Sequence, residues 1–514
     1  MRLKNIFRNS FFSLLSQFVL IFIGFFSQRV MNLTMGEELV GMNSVISNII
    51  AILSVSELGI ASAIVFHLYK ALAEQDEKKI ASLMNLYQKA YYIFAAAIMC
   101  MGLCIMPFVH LFLKDNSFSL SYIRIIYFLW LARTALSYLL SCKRSILIAD
   151  QKEYIVSIVT LFINILNYGA IIIMLLLWKN YQLALFLNII VETALNLWII
   201  RYVNKKYPFL KKYNKEPLER SITKTIFGEI KNIFISRLSS KILVSTDNLI
   251  ISSFISVAIT GRYANYSLIT QSVSNIMLAL SQAAQPSVGN LFTEKNQEKN
   301  YQVLRQVTFV FFLLASFCAA GMMSLMSIFV TDFWLAERYR LSTETVLCCV
   351  VNCYLFIIGL PIAMMLTVSG MFDKERSISV FYAAANLVIS LLLVKPFGII
   401  GVLLGTSASY LIQIIFRIRA FFRDYLCRSS RHYLSDLLQY TILSVSETAA
   451  ACFCVNWFYR EKSLPAFLLS GFICIALPNL INYLIFRKSW RMGSILHMIL
   501  SYTILYEKEM RCKK

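Results

Sequence analysis

Two basic residues one helical turn apart lie in the middle of an apolar stretch of this chain. Arg237 and Lys241 are at positions i and i+4, so a helix would place both cations on one face. A charge at the centre of a membrane helix costs about 2.5–3.5 kcal/mol on insertion scales, so such residues mark ligand or ion pathways. Two like charges on one face predict a wet cavity that receives an anion. The alternative is that each cation pairs with a carboxylate on a neighbouring helix.

Other charged residues interrupt further apolar stretches. Arg133 supports the same anion-binding interpretation, whereas Arg29 is either a further cavity cation or a residue whose long stem reaches the membrane surface. Three carboxylates, Glu57, Glu192 and Asp247, also fall in apolar stretches. A carboxylate inside a membrane either carries a coupling proton or cation or is the partner of an arginine. Both interpretations are open for all three.

Amide side chains form a second group of candidates. Gln271 and Asn275 belong to a stripe of polar residues along the apolar stretch 258–291, and Asn248 precedes that stretch. The stripe is too polar for a helix that faces lipid on all sides, and it predicts a cavity wall. Hydrogen bonding between packed helices is the competing explanation.

The remaining chemistry of the sequence predicts no catalytic residue, metal site or cofactor. The four histidines are far apart, and the twelve cysteines have no ligand spacing of the kind that zinc requires. The net charge of +22 arises from basic residues in short loops between apolar blocks. This distribution is typical of membrane topology and of contact with anionic membrane lipid, and it predicts no binding of nucleic acid.

Long apolar segments must position these residues. The chain is 58% hydrophobic and 15% charged, against about 25% charged residues in an ordinary soluble protein. The segments lie at about 10–34, 39–69, 83–110, 121–148, 154–178, 181–203, 226–255, 258–291, 305–331, 342–371, 376–394, 398–423, 436–459 and 464–487. The sequence therefore predicts an all-α polytopic membrane protein with about 14 transmembrane helices, or 12 or 13 where short joins are misread.

The distribution of basic residues predicts the orientation of the chain. Most of the 49 Lys and Arg residues fall in the N-terminus, the C-terminal tail and every second loop. Cytoplasmic loops carry this excess, so both termini are predicted to be cytoplasmic.

An internal repeat predicts the domain organisation. Asn9, Phe11 and Ser13 recur at a constant offset as Asn232, Phe234 and Ser236. We interpret this as two six-helix lobes in a parallel pseudo-repeat, an arrangement that some transporters use. The predicted parts are an N-lobe at 1–205, a basic cytoplasmic linker at 206–224, a C-lobe at 225–424, and two further helices with a cytoplasmic tail at 425–514.

Three stretches of this sequence resemble a known family. The block Ser245–Ser252 followed by Gly261-Arg262-Tyr263-Ala264-Asn265-Tyr266 is similar to the seventh-span signature of Wzx-type polysaccharide flippases. Phe7-Arg8-Asn9 and Glu57-Leu58-Gly59-Ile60 are similar to other parts of these proteins. They belong to the multidrug/oligosaccharidyl-lipid/polysaccharide (MOP) exporter superfamily.

The resemblance implies a flippase of the bacterial cytoplasmic membrane that works by alternating access. Its cargo would be an oligosaccharide repeat unit on polyprenyl diphosphate, exported for cell-surface polysaccharide. Lys241, Arg237, Arg133 and Arg29 would face the diphosphate, because cations offset the desolvation of an anion. A polysaccharide polymerase and glycosyltransferases are the implied partners. The driving force is open between a proton, a sodium ion, the membrane potential and consumption of the product outside.

Two alternatives remain beside this interpretation. A lipid II flippase or a cation-coupled drug exporter would have the same architecture, and a drug exporter would show a more acidic cavity. A membrane glycan polymerase or glycosyltransferase is a different class of protein. Such enzymes carry a large outer loop or acidic sugar-nucleotide motifs, and the sequence has neither an Asp-x-Asp motif nor a long outer loop. The sequence therefore favours a protein that is not an enzyme.

Overall fold

The computed structural model describes residues 2–54, 60–213, 238, 241, 245–292, 296–459, 462–489 and 491–493. Arg237 and Glu57 lie outside the described residues. Over the described ranges the chain is helical and contains no strand. The helices are α1 (Arg2–Leu53), α2 (Ile60–Ala73), α3 (Glu77–Ile105), α4 (Leu120–Ser141), α5 (Arg144–Ala149), α6 (Glu153–Trp178), α7 (Tyr181–Lys206), α8 (Phe209–Lys212), α9 (Val257–Phe292), α10 (Gln297–Ile328), α11 (Thr343–Val368), α12 (Phe372–Asp424), α13 (Arg431–Phe458) and α14 (Leu464–Phe486).

Side-chain caps begin several of these helices. The Asn180 and Asn296 side chains each accept a hydrogen bond from the backbone N–H three residues on, at the starts of α7 and α10. Ser119 and Ser342 do the same for α4 and α11. A capping oxygen satisfies one of the N–H groups that a helix leaves unpaired at its first turn. The caps therefore place the starts of α4, α7 and α11 at the beginning of apolar segments, whereas α10 begins eight residues before its segment.

Two helices are more than 50 residues long, and a glycine bends each of them. Gly36 in α1 has φ 80°, and Gly398 in α12 has φ 58°. Positive φ is open to glycine without steric conflict, and at both glycines the backbone leaves the helical region, so two helices are joined there end to end. The two glycines therefore lie at the boundaries between neighbouring apolar segments predicted above.

The described helices follow the predicted apolar segments, but some ends differ by up to eight residues. Helix α10 begins at Gln297 and not at 305, and the segment 121–148 is divided between α4 and α5. Ten of the described helices are long and apolar enough to cross a membrane, with α1 and α12 each counted once. The seventh segment, 226–255, is described mainly from residue 245 onward. The span count of 14 therefore stays a prediction.

The chain divides into two compact units. Unit 1 comprises Met1–Leu268 and Ser379–Gly405, and unit 2 comprises Ile269–Ile378 and Thr406–Lys514. The lobe boundaries drawn from the internal repeat, including the linker at 206–224, stay a prediction.

Unit 1 contains a close contact between α1 and α9. A Cβ atom added to Gly261 would lie 1.9 Å from the carbonyl oxygen of Glu37, and one added to Gly41 would lie 2.0 Å from that of Val257. Beside this crossing the Arg262 Nη2 atom is 2.7 Å from Glu37 Oε1. Gly41 and Gly261 have no side chain, so the backbones of α1 and α9 come into contact. The Arg262–Glu37 ion pair adds a second contact between the two helices.

Unit 2 packs α10 against α11, α13 and α14. Asp436 on α13 is the centre of a charged cluster in this unit. It accepts hydrogen bonds from Arg305 Nε at 2.8 Å and from Arg491 Nη2 at 2.9 Å. Arg491 also donates to the Tyr440 hydroxyl. These contacts join α10, α13 and the segment after α14.

Candidate functional site

Unit 1 contains a cavity of about 450 Å³ between α1, α4, α6 and α7. Its walls combine amides, aromatic rings and one pair of opposite charges. The residues that give the cavity its chemistry are Gln28, Asn43, Trp130, Arg133, Tyr138, Asn164, Asn167, Tyr168, Tyr181, Asn188 and Glu192.

The charged pair consists of Arg133 on α4 and Glu192 on α7. Arg133 Nε donates to Glu192 Oε2 at 2.8 Å, and the two side chains are 20% and 16% exposed. The guanidinium also lies over the Trp130 ring, 5.3 Å from its centroid. The carboxylate and the indole offset the desolvation of the cation. The cavity wall therefore contains one positive and one negative group, and their charges cancel.

Aromatic side chains on α4 and α7 are held by Asn43 of α1. Trp130 Nε1 donates to Asn43 Oδ1 at 3.1 Å, and the Tyr181 hydroxyl donates to the same oxygen at 2.6 Å. Tyr181 is 1% exposed. One amide oxygen thus fixes the position of two rings, and the walls of the cavity are preorganised.

Amide groups of α6 and α7 also line the cavity. Asn164 and Asn167 are one turn apart on α6, and Asn188 is one turn before Glu192 on α7. Asn167 is 4% exposed, and its Nδ2 atom has no hydrogen-bond partner in the described structure. A buried donor without a partner is costly, so it marks a position where a ligand or water would bind.

The arrangement suits a ligand with many hydroxyl groups. Amides and tyrosine hydroxyls can both donate and accept hydrogen bonds, as sugar hydroxyls do. Aromatic rings supply apolar area together with a polar edge. Since Glu192 is the one carboxylate among the described lining residues, and Arg133 neutralises it, the wall favours no small cation or anion strongly.

Residues 261–266, which resemble part of the Wzx signature, contact α1 in the structure. Asn265 accepts hydrogen bonds from Gln28 Nε2 at 3.1 Å and from Asn32 Nδ2 at 2.8 Å. Together with Gly261 and Arg262 it fastens the first turns of α9 to α1. Gln28 reaches the cavity, so this part of the signature supports the cavity wall.

Three solved structures with a similar arrangement of helices are a flippase and two transporters. The lipid II flippase MurJ, in an inward closed conformation, matches with a TM-score of 0.72 at 14% identity over 93% of this chain and 99% of that one. A MATE family multidrug resistance transporter of the MOP superfamily matches with 0.65 at 14% identity over 77% and 93%. A MOP superfamily transporter from Pyrococcus furiosus matches with 0.57 at 15% identity over 83% and 97%.

This chain has the fold of MOP-superfamily transporters. The prediction of an all-α polytopic membrane protein is thereby confirmed, and membership of the superfamily stays a prediction. No protein-family model matches the sequence, and no curated protein matches it. Assignment to the Wzx branch stays a prediction.

In this MOP-type fold, the predicted site residues have different surroundings. Arg133 and Glu192 meet in the cavity, as the ion-pair alternative expected for an arginine and a carboxylate. Lys241 is half-buried and Arg29 is exposed, and neither lines the cavity. The partner of Lys241 in the predicted cation pair, Arg237, lies outside the described residues. A role of Lys241 and Arg29 in anion binding stays a prediction.

The remaining candidates do not line this cavity either. Asp247 and Asn248 are 7% and 8% exposed, and the Oδ1 atom of Asn248 is buried without a hydrogen-bond partner in the described structure. Gln271 and Asn275 are exposed residues of unit 2. Glu57 lies outside the described residues. Their proposed roles as coupling carboxylates and cavity amides stay predictions.

Most of the residues that line the cavity are uncharged, so charges within apolar segments do not identify them. Asn43, Asn164, Asn167 and Asn188 are uncharged, and each lies in a segment that is otherwise apolar. A signal was present in the spacing of Asn164 and Asn167, since two amides one turn apart on a membrane helix indicate a polar neighbour. Their convergence with α7 required the tertiary structure.

Proposed function

We propose that this protein is a flippase of the bacterial cytoplasmic membrane, with both termini in the cytoplasm. It moves an oligosaccharide repeat unit linked to polyprenyl diphosphate from the inner to the outer leaflet by alternating access, for cell-surface polysaccharide. It catalyses no bond formation itself. Glycosyltransferases that build the cargo and a polymerase that consumes it are its functional partners.

The observation that carries the proposal is the chemistry of the unit 1 cavity. Its amides and aromatic rings match the hydroxyl groups and apolar faces of sugars. Asn167 offers a buried donor that the protein leaves unused. The cavity lies in a chain with the fold of transporters, one of which is a lipid II flippase. A lipid-linked oligosaccharide fits both facts.

The two alternatives of the same fold differ in support. A lipid II flippase is the second candidate, favoured by the MurJ likeness, which extends over 93% of this chain. A cation-coupled drug exporter is less well supported, because Glu192 is neutralised by Arg133 at 2.8 Å and does not present a free negative charge to a cationic drug.

A deletion strain tests the function. In the bacterium that carries the gene, deletion should remove the surface polysaccharide and cause lipid-linked oligosaccharide to accumulate on the cytoplasmic leaflet, and the wild-type gene should restore export. Loss of peptidoglycan synthesis with the surface polysaccharide unchanged would support lipid II instead. Unchanged surface glycan and peptidoglycan, with increased drug sensitivity, would contradict both flippase assignments.

Variants of the charged pair test the site. Arg133→Gln and Glu192→Gln should each lower the free energy of unfolding by about 2 kcal/mol, because each leaves a partly buried charge without its partner. The double variant should recover stability and membrane abundance but not export. The matched control is the exposed pair Arg340–Glu337. Arg340→Gln and Glu337→Gln, alone or together, should leave export unaltered. Normal export by the double variant would exclude a role of the pair in cargo binding.

A further inference from the structure

A second, smaller cavity of about 160 Å³ lies in unit 1. Its walls come from α3, from the turn between α4 and α5, and from the short helix α8. Two lysines contribute to it, Lys143 from the turn and Lys211 from α8, together with the amides Asn85 and Gln88 of α3. We call it the lysine cavity.

The two lysines give the lysine cavity an unbalanced positive charge. No carboxylate in the described structure forms an ion pair with either amine, and the Lys143 amine is held by the amide oxygen of Asn204. Lys143 lies beyond the end of α4, and burial, together with the nearby Lys211 amine, lowers its pKa. Each charged amine disfavours the charged form of the other. An anion placed between them would therefore stabilise both charges.

The lysine cavity and the amide-lined cavity are adjacent at the end of α4. Tyr138 lines the amide-lined cavity, and Cys142, one turn further along the chain, lines the lysine cavity. That spacing corresponds to about 6 Å along a helix. Tyr91 of α3 contacts Tyr138 with ring centroids 5.6 Å apart, and its hydroxyl accepts a hydrogen bond from Tyr87 at 2.7 Å. Tyr138 therefore links the amide-lined cavity to α3, the helix whose Asn85 and Gln88 line the lysine cavity.

We propose that the lysine cavity binds the diphosphate of the lipid-linked cargo while the attached sugars occupy the amide-lined cavity. This inference rests on the proposed function. A diphosphate carries more than one negative charge, so it can use both amines at once. The Gln88 amide donates one N–H to the Tyr92 hydroxyl and keeps a second N–H for a further oxygen of the diphosphate. The lysines belong to loops that the charge distribution assigns to the cytoplasm, where such cargo is made.

Binding of inorganic pyrophosphate to the purified full-length protein tests the inference. We expect calorimetry in detergent to show binding to the wild type, and K143Q/K211Q to bind about tenfold or more weakly, since two charge-assisted contacts are lost. The control K205Q/K212Q removes the same charge from two exposed lysines of the same end of unit 1 and should bind like the wild type. Equal weakening in both double variants would overturn the inference, because the effect would then be one of overall charge.

A second arm separates cargo diphosphate from membrane lipid. The protein should bind pyrophosphate with equal affinity in nanodiscs of phosphatidylcholine and in nanodiscs that also contain phosphatidylglycerol. Displacement of pyrophosphate by phosphatidylglycerol would assign the cavity to a lipid head group and overturn the inference.

Thermal unfolding of K143Q/K211Q reports whether the variant is folded. The single variant K211Q, at an exposed position, provides the same pyrophosphate-binding test with less risk to the fold.

The outcome is independent of the test of the proposed function. The deletion strain reports whether lipid-linked oligosaccharide accumulates, and the pyrophosphate measurement reports whether the two lysines bind its charged group. Accumulation in the deletion strain, combined with lysine-independent pyrophosphate binding, would leave the flippase assignment in place and remove the lysine cavity from its mechanism.

Discussion

Each unit contains a group of charged residues within apolar surroundings, and the two groups differ in whether they border a cavity. In unit 2 Asp436 is bonded by Arg305 and Arg491, and Arg491 is 8% exposed. In unit 1 the Arg133–Glu192 pair borders a cavity of about 450 Å³. The first group joins elements of the fold to one another, and the second leaves one side open to a ligand.

The Nδ2 groups of two buried amides show the same contrast. Asn300 in unit 2 is 0% exposed, and its Nδ2 donates to the Tyr425 hydroxyl at 2.9 Å, while its Oδ1 has no partner in the described structure. Asn167 in unit 1 is almost equally buried, but its Nδ2 has no partner in the described structure. Polar groups that satisfy one another hold helices together, whereas an unsatisfied group beside a cavity is available for binding. Stability and function should therefore respond differently to substitutions in the two regions.

The largest expected effect is that of Asp436→Asn. The substitution leaves Arg305 and Arg491 without a negative partner, and breaking a buried pair costs about 4 kcal/mol. Thermal unfolding in detergent and abundance in the membrane should both fall sharply. Asp424→Asn is the control, because Asp424 pairs with Arg423 and Lys374 at the surface, and little change is expected there. Similar losses for both variants would remove the contrast between internal and surface charges.

An intermediate effect is expected from Gly261→Ala. The added methyl group would lie 1.9 Å from the Glu37 carbonyl oxygen, so α1 and α9 must separate, at a cost of about 3 kcal/mol. Because α1 forms a wall of the cavity, glycan export should fall more than membrane abundance. Gly169→Ala, on α6 with open space around its Cβ position, should be neutral or stabilising by up to about 1 kcal/mol. Wild-type stability and export of G261A would show that the close contact is dispensable.

The smallest stability effect should come from Asn167→Ala. Its Nδ2 forms no hydrogen bond in the described structure, so the free energy of unfolding should change by less than about 0.5 kcal/mol. Surface glycan export should nevertheless drop severalfold, as measured by immunoblotting of the polysaccharide at matched protein abundance. In Asn300→Ala the lost bond to Tyr425 should lower stability by about 1 kcal/mol with export per molecule retained. The comparison fails if the two variants exchange these phenotypes.

The helices themselves could be predicted from the chain because their cause is local. An apolar block long enough to cross a bilayer must satisfy its own backbone hydrogen bonds, so α3, α6 and α7 follow from composition and length. The caps at Asn180 and Asn296 are equally local. The breaks near Gly36 and Gly398 were predicted as boundaries between apolar segments, but the positive φ of the two glycines was not, because a glycine is compatible with both a straight and a bent helix.

The candidate site was only partly accessible from the sequence. Charges in apolar segments identified Arg133 and Glu192 as unusual, because the desolvation of an ion is a property of the segment that contains it. Their pairing is a property of α4 and α7 together, since the two residues are far apart in the chain and 2.8 Å apart in space. The same holds for Asn43, whose one oxygen holds Trp130 and Tyr181.

The sequence by itself determined that the chain is helical, that it crosses a membrane many times and that a few polar groups must be accommodated within it. Burial of apolar blocks and intrahelical hydrogen bonding suffice for this, and neither requires knowledge of a neighbour. The tertiary structure decided which polar groups are satisfied by partners, as Asp436 is, and which are left facing a cavity, as Asn167 is. That distinction depends on distances between helices, and those distances are set by packing of the whole unit.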